Sequence, residues 1–242
     1  MQLTIIGAGA MAMAMAKGLE KRYELAFVVR DTSKVDTKYK CYPLEDFDIS
    51  GKHIILAVKP YALTEVAAQL KGKADTLYSV LAGTSLKNLK TINAQKHIRT
   101  MPNVAATFGA STTVITGDSE RKEQALAIFA AIGDTFWVES EKEIDIATAI
   151  AGSGPALLTL VAEAMMDGLV KEGMKRPDAM GITNSLFKGF APLIASNHPA
   201  LIKDSVMSPG GTTAAAYAAL EEGAVRASFI KAVGEAFKIT QR

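Results

Sequence analysis

The sequence is short of several residue types, and each shortage excludes something. Cys41 is the only cysteine, so no intrachain disulfide forms, which suits a reducing cytosol. The three histidines, His53, His97 and His198, are isolated from one another and from Cys41, so no metal site is expected. Charge is balanced, 27 basic against 25 acidic residues with a net +2, and spread along the chain. That gives no electrostatic case for nucleic acid or an anionic membrane surface. The chain starts straight into an apolar strand-like run with no charged leader before it, so a signal peptide is not expected. No apolar stretch of about 18 residues without a polar break is evident, so no bilayer-spanning segment is expected either. Apolar residues make up 49% of 242, enough for a sizeable core and for two modest domains.

The strongest local signal is at the start. Leu3–Ile6 is a short apolar run with β-branched residues, followed by Gly7-Ala8-Gly9 and then helix formers from Ala10 to Lys17. The spacing Gly-x-Gly-x-x-Ala, ending at Ala12, is a dinucleotide-binding fingerprint. Gly7 permits a tight turn, Gly9 lets backbone approach a pyrophosphate, and the small Ala12 lets helix pack on strand. Ala8, Ala10 and Met11 complete the turn and the first helical turn, whose N–H groups and dipole favour phosphate.

Leu25–Arg30 reads as a second strand ending roughly 20 residues beyond the glycines, where an NAD site usually has an acidic residue for the ribose 2′-hydroxyl. Here Arg30 stands, followed by Asp31-Thr32-Ser33-Lys34. Arg30, Ser33 and Lys34 suit a 2′-phosphate, which favours NADPH over NADH; Asp31 opposes this. Strand-like runs at 53–58, 77–81, 97–101, 111–116 and 136–138 alternate with helical ones at 64–70, 87–92 and 120–132, and residues 36–50 read as irregular. Lys59-Pro60 ends one strand and Ala82-Gly83 follows another, both at the sheet edge where α/β proteins bind ligands. The alternation predicts an α/β fold, a Rossmann-type doubly wound, mainly parallel sheet over residues 1–142.

From 143 to 242 no strand-like run appears, and an all-helical domain is predicted. Gly152-Ser153-Gly154-Pro155 interrupts it early, and Gly181, Gly189 and Pro192 punctuate a stretch at 177–197. Alanine-rich faces suit close helix–helix contact. Ser208-Pro209-Gly210-Gly211-Thr212-Thr213 forms an exposed turn opening a helix, a nest of N–H groups fit for a small carboxylate, with two threonine hydroxyls beside it.

Gly7–Ala12, Ala57-Val58-Lys59-Pro60, Ala82-Gly83, Met101-Pro102-Asn103, Gly152–Pro155 and Ser208–Thr213, in that order, make the chain resemble pyrroline-5-carboxylate reductases from end to end. The resemblance implies reduction of the imine of 1-pyrroline-5-carboxylate to L-proline by NADPH or NADH, and the lone cysteine suits a cytoplasmic protein. It implies a helical dimerisation domain, a homodimer and assembly beyond it. It implies that Thr213 is catalytic, bonding to the ring nitrogen, with Ser208, Gly210, Gly211 and Thr212 on the substrate carboxylate. It implies that Ala57, Val58, Lys59, Pro60, Ala82, Gly83 and Asn103 meet the cofactor. Ala10 and Val104-Ala105 depart from the residues usual in the family, an Asn and a Thr-Pro. Two other readings share this layout: a β-hydroxyacid-dehydrogenase-like carbonyl reductase, for which Lys171, Lys175 and Lys188 are the available acids, and a non-catalytic dinucleotide sensor.

Overall fold

The computed structural model describes residues 1–240, the side chain of Lys34 excepted. The chain divides into two compact units, one of residues 1–155 with 235–242 and one of residues 156–234.

The first unit is built on an eight-stranded sheet. Its strands are β1 (Gln2–Ile6), β2 (Glu24–Val29), β3 (Lys40–Pro43), β5 (His53–Leu56), β7 (Ala74–Ser79), β8 (Ala94–Met101), β9 (Ser111–Gly117) and β10 (Gly133–Trp137). A separate two-stranded ladder joins β4 (Phe47–Asp48) to β6 (Leu70–Lys71). The sheet order is β10-β9-β8-β7-β5-β1-β2-β3, parallel throughout except between β8 and β9. From β1 the chain builds outward through β2 and β3, then returns to β5 on the other side of β1. That reversal is the switch point of a doubly wound sheet. Helices α1 (Ala10–Leu19), α2 (Leu63–Ala68), α3 (Leu86–Leu89) and α4 (Lys122–Phe129) connect the strands.

Strands buried on both faces should read as unbroken apolar runs, and β1 and β2 do. Leu3, Ile5, Phe27 and Ile55 pack with Met15 and Leu19 of α1 and Phe129 of α4 in one core. Ile6, Val28, Ile54 and Leu77 pack with Leu63 and Val66 of α2 in the other. Trp137 packs, partly buried, against the first core.

Three departures from the sequence reading have local causes. The stretch 36–50 holds β3, an edge strand almost entirely exposed and therefore without apolar periodicity. The helical run expected at 120–132 ends at Phe129, and Gly133 opens β10, at φ +146°; a Cβ there would lie 2.1 Å from the Ser111 carbonyl oxygen. Helix α5 (Glu141–Ala151) belongs to the sheet unit, so that unit continues past residue 142. Ile144 and Ala151 of α5 pack on Met101 and Val114. The buried Arg99 of β8 also pairs with Glu141 at 2.8 Å and Asp145 at 2.7 Å.

The second unit is helical: α6 (Gly154–Lys171), α7 (Arg176–Ser196), α8 (Pro199–Val206), α9 (Thr212–Glu222) and α10 (Val225–Thr240), the last running into the first unit. Gly181, Gly189 and Pro192 do not break α7. Few side chains are covered: only Ala179 and Thr183 are buried among the described residues of these helices. Leu160, Leu186, Leu193, Leu201 and Ile230 are each at least half exposed. Contrary to the sequence expectation, Glu141–Lys171 is long and apolar enough, by length and composition, to cross a membrane, although a turn at 152–153 divides it.

Candidate functional site

A cleft of about 650 Å³ opens over the C-terminal ends of β1, β2, β5, β7 and β8. The ladder continues one residue past each central strand. Gly7 N–H donates to Val28 O at 2.9 Å, and Ala57 N–H donates to Ile6 O at 2.9 Å. The turn after β1 is thus pinned on both sides before the chain enters α1.

The two glycines of the turn do different work. Gly7 sits at φ +108°, and a Cβ would come within 2.6 Å of the Ala57 carbonyl oxygen. Protein backbone alone demands glycine there. Gly9 has an ordinary extended backbone, φ −73° and ψ 176°, and a Cβ would meet no atom within 4 Å. Nothing in the chain itself requires glycine at 9. It lines the cleft and begins α1 with no side-chain cap. By contrast, α3 and α5 start on Ser85 and Ser140, whose hydroxyls accept from the first turn. The first-turn N–H groups of α1 therefore face the cleft with room for an anion. This local chemistry fits a dinucleotide pyrophosphate.

Among the expected cofactor contacts, Gly7, Ala8, Gly9, Ala10, Met11, Arg30, Ala57, Val58, Lys59, Pro60, Ala82 and Asn103 line the cleft. Two others, Gly83 and Ser33, are not in its lining. Gly83 lies one residue beyond the lining, in a left-handed turn at φ +64°. Ser33 is also outside the lining. Its hydroxyl donates to Asp31 Oδ1 at 2.6 Å and its N–H donates to the same oxygen at 3.1 Å, closing a single helical turn. Lys34 lies outside the described side chains. Asn103 lines the cleft with its side chain engaged elsewhere. Its amide nitrogen donates to Ala151 O at 2.9 Å and its oxygen accepts from Ala105 N–H at 3.0 Å. It fastens the end of α5 to the sheet edge.

Tyr61 and Glu65, which the sequence did not single out, also line the cleft, together with Asp31, Val104 and Gly152. Glu65, on α2, reaches Arg30 with Oε1 3.4 Å from Nη1. Only the fold brings them together, since they lie 35 positions apart. Lys59 is exposed at the rim with no ion-pair partner among the described residues.

The second unit holds the other candidate. Gly211 N–H donates to Ser208 O at 3.0 Å, with Pro209 and the positive-φ Gly210, at +69°, in the middle of the turn. That placement of proline and glycine matches a type II turn. A Cβ on Gly211 would meet Ser208 Oγ at 2.3 Å. Gly211 then begins α9, again without a side-chain cap, so Thr212 and Thr213 stand at an open helix N-terminus. Both candidate anion sites thus begin a helix on a glycine, where α3, α5 and α8 carry a capping side chain. The described residues hold no group of three or more His, Cys, Asp or Glu side chains placed for a metal.

Fold and cleft together define a Rossmann-type α/β protein with an appended helical unit. Residues 141–242 match the family profile described as pyrroline-5-carboxylate reductase dimerisation, and residues 2–83 match NADP oxidoreductase coenzyme F420-dependent. The chain is 38% identical to the pyrroline-5-carboxylate reductase of Synechocystis sp., covering 99% of this chain and 97% of that one. It belongs to the pyrroline-5-carboxylate reductase family. Its fold is similar to the solved enzyme of Streptococcus pyogenes, with a TM-score of 0.85, 29% identity and 99% and 98% of the two chains covered. It is likewise similar to that of Plasmodium falciparum solved with NADP bound, with a TM-score of 0.84, 25% identity and the same coverage.

Proposed function

We propose that this protein reduces 1-pyrroline-5-carboxylate to L-proline with NADPH. The observation that carries the cofactor half is the open space at Gly9, beside an uncapped helix start at the switch point of the sheet. Backbone N–H groups of Ala10 and Met11 receive the pyrophosphate, and Arg30 pairs with the 2′-phosphate. Ala57–Pro60 and Ala82 bound the rest of the cofactor.

Bound NADPH supplies the hydride. The chain's own task is to hold the acceptor. The turn at Ser208, Gly210, Gly211 and Thr212 takes the substrate carboxylate on the Gly210 and Thr212 N–H groups and the Ser208 hydroxyl, while the Gly211 N–H closes the turn on Ser208 O. Thr213, at the first turn of α9, donates its hydroxyl to the imine nitrogen, which makes the adjacent carbon more electrophilic. A threonine hydroxyl is a poor acid, so the proton that ends on nitrogen comes from solvent. Hydride adds to the imine carbon, the C=N π pair moves to nitrogen, and that nitrogen takes the proton. Positioning supplies most of the rate, and no conspicuous general acid is required.

The helical unit supports a homodimer. Its apolar side chains are exposed in the single chain, and its sequence matches a dimerisation profile. We assign the exposed apolar side chains of α6, Leu158, Leu160 and Met165 among them, to partner contact and no part of Glu141–Lys171 to a bilayer, because a turn at 152–153 divides that stretch, α5 packs on the sheet and the dimerisation profile spans both helices. The single cysteine suits a cytosolic enzyme.

Following NADPH oxidation with 1-pyrroline-5-carboxylate and with small keto acids tests the reading. Turnover of the imine supports it. Turnover of keto acids alone, or cofactor binding with no turnover, overturns it.

A further inference from the structure

At the mouth of the cleft the end of β2 and the start of α2 face each other through one ion pair. Arg30 Nη1 lies 3.4 Å from Glu65 Oε1, and both residues line the cleft. Burial of Leu63 and Val66 fixes the helix that carries Glu65. Gln69 Nε2 donates to the Glu65 carbonyl oxygen at 3.3 Å and tightens the same turn. Asp31 is the second carboxylate lining this end, and it accepts from Ser33.

The pair is loose. It is a single contact, and the side chains of Arg30 and Glu65 are 72% and 55% exposed. Such a pair holds an arginine only weakly. Its larger effect is on what Arg30 can bind. A ribose 2′-phosphate must take the guanidinium from Glu65 and then sit close to a carboxylate of its own sign. A ribose with a free 2′-hydroxyl meets neither obstacle, and its hydroxyl can donate to the carboxylate.

We propose that Glu65 sets the cofactor selectivity of this enzyme, competing with the 2′-phosphate of NADPH for Arg30 and thereby bringing NADPH and NADH affinities closer together. This rests on the reading that the cofactor's adenosine ribose lies at Arg30. The competition is electrostatic and exposed to solvent, so its size is modest and screened by salt. Removing the charge at 65 should tighten NADPH by roughly 3- to 10-fold at low ionic strength, the range expected for an exposed pair plus one nearby like-charge repulsion.

The test is a titration of the full-length protein with NADPH and with NADH by fluorescence, for the unaltered chain, Glu65→Gln, Arg30→Ala and the double variant, in 20 mM and 500 mM KCl. The proposal requires Glu65→Gln to tighten NADPH several-fold at low salt, to change NADH less than twofold, and to lose most of its effect at high salt or once Arg30 is alanine. Weaker NADPH binding in Glu65→Gln would mean that the carboxylate holds Arg30 ready for the phosphate, which overturns the proposal. Unchanged affinity for both cofactors overturns it as well. If Arg30→Ala weakens NADPH and NADH equally, the 2′-phosphate is not at Arg30, and the cofactor placement fails along with the selectivity proposal. If Arg30→Ala is selective and Glu65→Gln is inert, only the role of Glu65 is lost.

Discussion

Gly7 and Gly9 lie two residues apart in one turn, and the structure separates their roles so sharply that alanine should produce opposite effects. At Gly9 the backbone is already in a region any residue adopts, and the added methyl meets no protein atom within 4 Å. Gly9→Ala should therefore leave folding intact, with stability unchanged or raised by about 0.4–1 kcal/mol through the restricted unfolded chain. The methyl instead stands where the pyrophosphate must approach α1. Losing one charge-assisted hydrogen bond there costs about 1.5–3 kcal/mol, which converts to roughly 10- to 150-fold weaker NADPH binding. At Gly7 the methyl meets the Ala57 carbonyl oxygen at 2.6 Å, at a φ of +108° that L-residues rarely adopt. Gly7→Ala should destabilise the sheet unit by about 1–3 kcal/mol for the backbone alone. Thermal unfolding without ligand, paired with cofactor titration, reads both effects. Unchanged NADPH affinity in a well-folded Gly9→Ala protein would refute the pyrophosphate placement.

Thr213→Val should keep NADPH affinity and lose about 10²-fold in turnover, the low end for one positioned donor; unchanged steady-state turnover would remove Thr213 from the chemistry. Arg99→Ala should lower the melting temperature by about 6–12 °C, because it strands Glu141 and Asp145 beside a buried site at a cost near 3 kcal/mol; a shift within 2 °C would show that α5 does not depend on this pair. His53 is held below the usual histidine range, mainly by burial and also by the Arg121 cation, against the pull of Asp75, 3.4 Å away. The unfolded chain binds this proton more readily, so stability is full above about pH 6.5 and declines as pH falls through the lower folded value. His53→Gln should flatten that part of the pH–stability curve, and an identical curve would exclude His53 as its source.

What could be read from the sequence follows from how much each residue's surroundings are local. The Gly7–Gly9 turn, the buried strands β1, β2 and β5, and the helical C-terminal stretch announce themselves, because backbone permission and apolar runs are written in adjacent residues. The edge strand β3 does not, since Lys40–Pro43 has no buried side chain to set a period. Ser33 read as a phosphate ligand by composition, yet Asp31 two positions earlier takes both its N–H and its hydroxyl. Asn103 read as a cofactor contact, yet its amide reaches Ala151, 48 positions on. The Arg30–Glu65 and Arg99–Glu141 pairs needed the fold, because nothing nearby in sequence marks a partner 35 or 42 positions away. Along α6–α10, helical spacing was legible, but the sparse burial of the apolar side chains was not, because spacing does not tell a face packed within one chain from one left for a partner.

The most direct measurement uses NADPH carrying deuterium at both hydrogens of nicotinamide C4, with 1-pyrroline-5-carboxylate as acceptor and mass spectrometry of the product. Proline carrying one deuterium at Cδ, the former imine carbon, is the result required here, and it should diminish together with turnover in Thr213→Val. Unlabelled proline, or label delivered only to a keto acid, would contradict the assignment.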